Sequence, residues 1–292
     1  METDLTASYR RAAAVARSRA RNFYYSFIVL PAPKRRSMCA VYAFMRYCDD
    51  ISDGTSSLES KQVMLRRWRE QLKAAASENG PADSIFPAFR DSLSRFSIPA
   101  EYFSWIIDGA EMDLTVDRYE TFEDLYRYCF NVASAVGLVC LQIFGYKEES
   151  AKKYAEHCGI AFQLTNILRD IREDAEMGRI YLPQEDLARF RYTADDLEHG
   201  VLDDRFRKLM AFEADRAAGY YAQARKLLPL VESVSRPALW AMIEIYSGIL
   251  KKIVKRNYNV FDSPIHLLNS EKALVALKAL AMRIMPTKLA SE

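Results

Sequence analysis

FQLTNILRDIREDAEMGRIYLP, residues 162–183, is the stretch from which the fold can be read. Leu164, Ile167, Leu168 and Ile171 fall on one side of a helical spiral. On the other side Gln163, Asn166, Asp170 and Asp174 step by three, four and four. A helix with an apolar back and a stripe of amides and carboxylates suits the wall of a cavity better than a solvated surface. The pattern predicts a helix near 148–173. Gly178 and Pro183 then bound a loop, because glycine can stop a helix and proline cannot sit inside one.

A second stretch, AVYAFMRYCDDISD at 40–53, repeats the design. Tyr42, Arg46, Asp49 and Asp53 step by four, three and four and share one helical face, with Asp50 beside them. Like charges one turn apart destabilise a bare helix, so something must offset them. Either pair alone is as well explained by a solvated surface. Two such pairs, each with an apolar opposite face and nearby arginines (Arg46 for the first; Arg169, Arg172 and Arg179 for the second), make chance a poor explanation. Mg²⁺ takes oxygen ligands and is held by one or two carboxylates plus phosphate oxygens and water, so magnesium is favoured over zinc. Such ions stabilise a departing diphosphate. The carbocation left behind needs a dry, partly aromatic cavity, for which Phe23, Tyr24, Tyr25, Phe27, Phe44, Tyr128, Phe130 and Tyr246 are wall candidates.

The rest of the chain agrees with an all-α fold. Its 292 residues are 50% hydrophobic with 10 Gly and 10 Pro, the composition of long helices with few turns. Punctuation at Pro31–Pro33, Glu78–Pro81 and Ser97–Pro99 separates helices expected up to Pro31, then near 34–52, 57–77, 83–95, 99–115 and 121–145. Later ones are expected near 184–190, 203–227, 230–257 and 270–284. No internal repeat or linker divides the chain, so residues 1–292 read as one domain. A formal charge of +2 does not point to a nucleic-acid partner. Five scattered cysteines and the absence of a secretory signal fit a reducing, cytoplasmic location. The most apolar stretch, residues 132–146, falls short of the roughly 20 residues needed to span a bilayer. GxSxG, HExxH and Gly-rich phosphate loops are all missing.

At YAFMRYCDDISD, MDLTVDRYETFEDLYRYCFNVASAVGL and FQLTNILRDIREDAEMGRIYLP, together with NFYYSFIVLP at 22–31, the sequence closely resembles the squalene/phytoene synthase family of head-to-head prenyltransferases. The resemblance implies an isoprenoid synthase helical bundle around a central cavity. It implies that Asp49, Asp53, Asp170 and Asp174 bind Mg²⁺, with Asp50 and Glu173 as further acidic candidates. It assigns Arg46 to diphosphate, and Tyr128, Gln163, Asn166 and Tyr246 to the reaction centre. Phe23, Tyr42, Arg169 and Arg179 complete the expected substrate-binding set.

Two farnesyl diphosphates would give presqualene diphosphate and squalene, two geranylgeranyl diphosphates prephytoene diphosphate and phytoene. Residues 22–31 and the MDLT stretch look most like bacterial presqualene diphosphate or squalene synthases, which leans the reading to farnesyl. NADPH is needed only if squalene is the product. Lys251, Lys252, Lys255 and Arg256 form a basic cluster read mainly as a solvated helix end. The C-terminal SEKALVALKALAMRIMPTKLASE is too charged to span a membrane, and Leu274, Leu277 and Leu280 with Lys278 and Arg283 form a face suited to peripheral membrane contact or to packing on the bundle. The rivals, a terpene cyclase and a non-catalytic assembly subunit, are disfavoured by the intact paired acidic motifs.

Overall fold

The structure, a computed structural model, describes residues 2–20, 22–77 and 84–284. Met1, Arg21, residues 78–83 and residues 285–292 lie outside the described residues. The helices are α1 (Glu2–Arg19), α2 (Tyr24–Phe27), α3 (Ala32–Asp53), α4 (Leu58–Ala76), α5 (Phe86–Arg95), α6 (Ala100–Met112), α7 (Phe122–Cys129) and α8 (Ala135–Phe144). They continue with α9 (Ser150–Glu176), α10 (Gln184–Arg189), α11 (Ala194–Glu198), α12 (Asp204–Ala224), α13 (Arg236–Lys255) and α14 (Asn269–Ile284). No strand forms among the described residues; two isolated bridges join Arg118 to Ile180 and Tyr146 to Val231.

Local chemistry sets many of the boundaries. Ser57 caps α4, Thr121 and Asp124 form a reciprocal capping box on α7, and Asp203 accepts from the amides of Arg205 and Phe206 to start α12. Proline in the first turn of α3, α5 and α13 costs nothing there, since its missing N–H would be unpaired anyway. For that reason α13 begins at Arg236, beside Pro237, later than the expected 230. The N-terminal helix is interrupted between α1 and α2. The five-residue α11, bounded by its own capping box, is too short for periodicity to reveal. Helix α9 runs to Glu176, past Asp174, and is stopped by Gly178 at φ +78°.

Between α7 and α8 the helix widens into a π-helical stretch, Phe130–Ser134. Gly159 of α9 lies against it, and a Cβ there would meet Ser134 Cα at 2.5 Å and Ala133 C at 2.6 Å. Only glycine permits this crossing. The whole run Phe122–Phe144 is long and apolar enough, by length and composition, to cross a membrane. That run is longer than the stretch singled out in the sequence, because the helix continues through the π segment. Here it packs between α6 and α9, with Leu125, Cys129, Ala135, Val139 and Ile143 in the core.

Helix α9 is central, flanked by α12, α13, α8 and the π stretch, while α3 packs on α1, α5, α6 and α8. Phe44 on α3 is fully buried, stacked on Phe89 with centroids 4.4 Å apart and edge-on to Phe103 at 5.2 Å. Truncating such a ring to Ala costs about 3–5 kcal/mol. This cluster fixes the back of α3, leaving its opposite face for the cavity.

Candidate active site

Helices α3 and α9 present their polar stripes to one cavity of about 450 Å³. Phe23, Tyr42, Arg46, Asp49, Asp53, Tyr128, Gln163, Asn166, Arg169, Asp170, Asp174, Arg179 and Tyr246 all line it. The cavity wall is otherwise apolar: Ile106, Val132, Val136, Leu141, Phe144, Phe162, Leu239 and Met242. One mouth thus carries charge and the remainder is greasy, the division expected of a site that ionises an amphiphile and shelters a cation.

Two acidic candidates are not brought in. Asp50 leaves the cavity face and takes Arg46, with Nη2 at 2.5 Å and Nε at 2.8 Å from Oδ1, while Arg19 approaches at 3.6 Å. Glu173 lines a separate outer cleft of about 1140 Å³, which shares only Arg169 and Asp170 with the cavity. The reason is helical geometry: each residue is one step from a stripe position and so turns away by about 100°. Arg172 also faces outward, donating to Glu176 at 2.9 Å and to the carbonyl of Phe261 at 2.7 Å.

The aromatic candidates sort in the same way. Phe23 and Phe162 pack against Tyr246 at 5.1 and 4.3 Å, forming an aromatic floor. Tyr24 and Tyr25 line the outer cleft. Phe27, Phe44 and Phe130 are packing residues away from the cavity, Phe130 against Trp105 at 5.3 Å. Phe144 and Phe162 take the places expected for them; both lie in apolar runs where nothing in the sequence separates cavity wall from core.

Electrostatically the mouth is strained. Asp49 is 55% exposed, wetted by the cavity it projects into, yet protein surrounds it. Burial, then the negative charges of Asp53, Asp113 and Asp50, push it up to about 7 against the pull of Arg46. Burial and Asp170 likewise push Asp174 up to about 7. Burial keeps Tyr42 and Tyr246 as neutral phenols, each raised to about 12. Arg169 is bonded to Asp170 through two parallel contacts of 2.7 and 2.5 Å.

Among the described residues no three His, Cys, Asp or Glu side chains converge into a ready-made metal cage. Mg²⁺ needs none, because substrate phosphate and water complete its shell. The donor set fits such an ion: the four stripe carboxylates, of which Asp49 and Asp174 are held above the usual carboxylate range by burial and negative neighbours, and the buried amide oxygen of Asn166, which has no protein partner.

A third group was not anticipated. Asp113, just after α6, and Tyr181, in the α9–α10 loop, both line the cavity beside Tyr128. Tyr181 donates to Asp113 Oδ1 at 2.9 Å, and Arg179 donates to the Asp113 carbonyl at 3.0 Å. The rings of Tyr119 and Tyr128 each stack on Tyr181, at 5.9 and 5.1 Å, and meet each other tilted at 5.4 Å. The only signal was their presence in the MDLTVDRY and GRIYLP runs, which carry no periodic stripe.

Comparison with known proteins agrees with this geometry. The chain is 39% identical to the phytoene synthase of Mycobacterium tuberculosis over 287 residues, 97% of this chain and 93% of the relative. It is 37% identical to the 15-cis-phytoene synthase of Synechococcus elongatus over 269 residues, 88% and 87% of the two chains. A crystal structure of a dehydrosqualene synthase in complex with ligand superposes with TM-score 0.89 at 29% identity, covering 97% of this chain and 99% of that one. Squalene synthase from Alicyclobacillus acidocaldarius does so at 0.83 and 29%, covering 89% and 97%. The family described as squalene/phytoene synthase matches residues 16–271. With two polar stripes closing one apolar cavity and these relatives along nearly its whole length, the chain belongs to the squalene/phytoene synthase family of prenyltransferases.

Proposed function

We propose that this enzyme condenses two geranylgeranyl diphosphates head to head, through prephytoene diphosphate, to phytoene. The observation that carries the chemistry is the meeting of the α3 and α9 stripes at one mouth of an apolar cavity. The substrate choice rests on the named relatives of highest identity above, which are phytoene synthases, and it replaces the farnesyl reading suggested by residues 22–31.

Asp49, Asp53, Asp170 and Asp174 hold Mg²⁺, which supplies charge neutralisation to the departing diphosphate. Arg46, Arg169 and Arg179 bind diphosphate oxygens, and Gln163 and Asn166 orient them. Tyr42 and Phe23 border the reacting end of the chain. Tyr128 and Tyr246 offer neutral phenols and ring faces to the cation, and the apolar wall excludes water. The reaction to phytoene needs no NADPH. Lys252 donates to Glu271 at 2.5 Å and Arg256 to Ser263 Oγ at 3.0 Å, so two members of the basic cluster are already engaged within the bundle. A cytoplasmic enzyme with peripheral membrane contact suits an insoluble product.

The second reading, condensation of farnesyl diphosphate to presqualene diphosphate or squalene, is favoured by the dehydrosqualene and squalene synthases among the structural neighbours. Purified protein incubated with Mg²⁺ and either diphosphate, with and without NADPH, decides between them by mass spectrometry of the products. Phytoene from geranylgeranyl diphosphate without NADPH supports the proposal; presqualene diphosphate or squalene alone replaces it with the second reading.

A further inference from the structure

Away from the cavity, α10 and α12 meet through three charged groups that no step of the proposed reaction uses. Arg216 of α12 donates through Nη1 to Asp186 Oδ2 of α10 at 2.8 Å, and to Glu213 Oε1 and Oε2 of its own helix at 2.8 and 2.7 Å. Its guanidinium lies over the ring of Phe122, the first residue of α7, at 4.1 Å. Glu213 and Asp186 are 1% and 4% exposed, so water screens little of the charge they carry. Two carboxylates against one guanidinium leave one negative charge in excess. The two carboxyl groups also lie within hydrogen-bonding reach of each other, a contact that needs a proton on one of them.

Glu213 is the one that keeps it. Burial, and then Asp186, push its carboxyl up to about 8 against the pull of Arg216. The groups facing it are Arg216 on α12, Asp186 on α10 and, on α7, the Cys129 thiol, which burial keeps protonated. Nearby, Glu156 of α9 is engaged by Tyr126, and Arg189 of α10 stands over Phe212 at 4.5 Å. The cluster is therefore neutral while Glu213 holds its proton and carries a buried negative charge once the proton is lost. Asp186 follows Pro183 by three residues, at the end of the α9–α10 loop that brings Arg179 and Tyr181 to the cavity. The same helix is tied to α7 by Glu185, which accepts from Phe122 N at 2.7 Å. With 6 residues against the 21 of α12, α10 is the partner that gives way when buried charge must reach water.

We propose that Asp186, Arg216 and Glu213 form a proton-sharing clasp that seats α10, and through it the loop carrying Arg179 and Tyr181, against the cavity. All three are positioning residues: none of them lines the cavity, and they act through the loop. Loss of the shared proton to solvent loosens the clasp. The folded chain holds on Glu213 a proton that the unfolded chain gives up in the ordinary carboxylate range, so the stability from this group is lost as pH rises from that range to about 8. The part played in substrate binding rests on the function proposed above; the proton sharing does not.

The test uses Glu213→Gln and Asp186→Asn, each of which leaves one carboxylate with one guanidinium and no proton to share. Thermal melts of the wild type and both variants are compared from acid to alkaline pH. The Tm of each variant relative to wild type is expected to climb by about 2–3 °C per pH unit up to about pH 8 and to level off above it. A climb in Glu213→Gln alone, or in neither variant, overturns the inference: the first marks a buried acid that titrates by itself, the second two carboxylates ionised throughout. With whichever diphosphate the wild type converts, its KM relative to both variants is expected to rise several-fold across the same alkaline limb while the ratio of kcat values stays level. A flat KM ratio alongside diverging melts overturns the positioning role. A wild type that converts neither diphosphate brings down the proposed function instead, and the melts still decide the clasp.

Discussion

The two acidic stripes look alike in sequence but are wired differently. On α3, Arg46 is drawn aside by Asp50, which lies off the cavity face, and remains 3.8 Å from Asp49 and 3.9 Å from Asp53. On α9, Arg169 holds Asp170 itself, a carboxylate of the stripe, through two short bonds. One stripe is thus open to a cation and the other is half closed by its own arginine. The difference teaches that the two stripes start from different states: under the proposed function, an arriving diphosphate would compete for Arg169 and free Asp170.

The largest expected effect breaks the symmetry within each stripe. Asp49→Asn and Asp174→Asn should each lower turnover by about a thousandfold or more in steady-state assays, since under the proposed function several kcal/mol of charge stabilisation would pass through the ion they would hold. Asp50→Asn and Glu173→Gln, whose side chains face away from the cavity, should stay within about tenfold of wild type. Equal losses at all four positions would show that facing is irrelevant.

A smaller effect sharpens the contrast between arginines. Arg169→Met should tighten the apparent Mg²⁺ requirement by freeing Asp170 while raising KM for diphosphate by about tenfold, the worth of one charge-assisted bond. Arg46→Met should raise KM without changing the Mg²⁺ dependence. Titration of activity against Mg²⁺ separates the two.

Because no preformed cage exists among the described residues, Mg²⁺ and inorganic diphosphate together should raise Tm more than the sum of each alone. At concentrations about 100 times the dissociation constant such linkage is worth about 2.7 kcal/mol. Thermal melts with either and both ligands measure it.

The smallest effect concerns pH. The folded chain keeps protons on Asp49 and Asp174 up to about pH 7, whereas the unfolded chain releases them in the ordinary carboxylate range. The folded state binds more protons in that window, so metal-free stability falls as pH rises through it. The Asn variants should therefore melt higher than wild type at pH 8 without metal, and saturating Mg²⁺ with diphosphate should reverse the order.

The stripes were legible because Gln163, Asn166, Asp170 and Asp174 lie within one helix, where spacing alone decides which side chains share a face. Asp113 and Tyr181 were not. They meet only because the segment after α6 runs beside the α9–α10 loop, tied by Ile180 N to Asp117 O and Gln184 N to Tyr119 O, both 2.9 Å. The same limit explains the aromatics. Phe44 and Phe162 sit in equally apolar helices, and only packing sends one to the Phe89 stack and the other to the cavity floor.

The sequence by itself determined the all-α class and the two cavity-facing stripes, and pointed to metal-and-diphosphate chemistry, because helical period and side-chain type are local properties. Tertiary structure decided that Arg169 closes on Asp170 and that Asp113 gathers Tyr181 near Tyr128. These pairings join groups whose mutual distance and burial depend on how separate helices and loops pack, and no spacing rule along one chain segment encodes that.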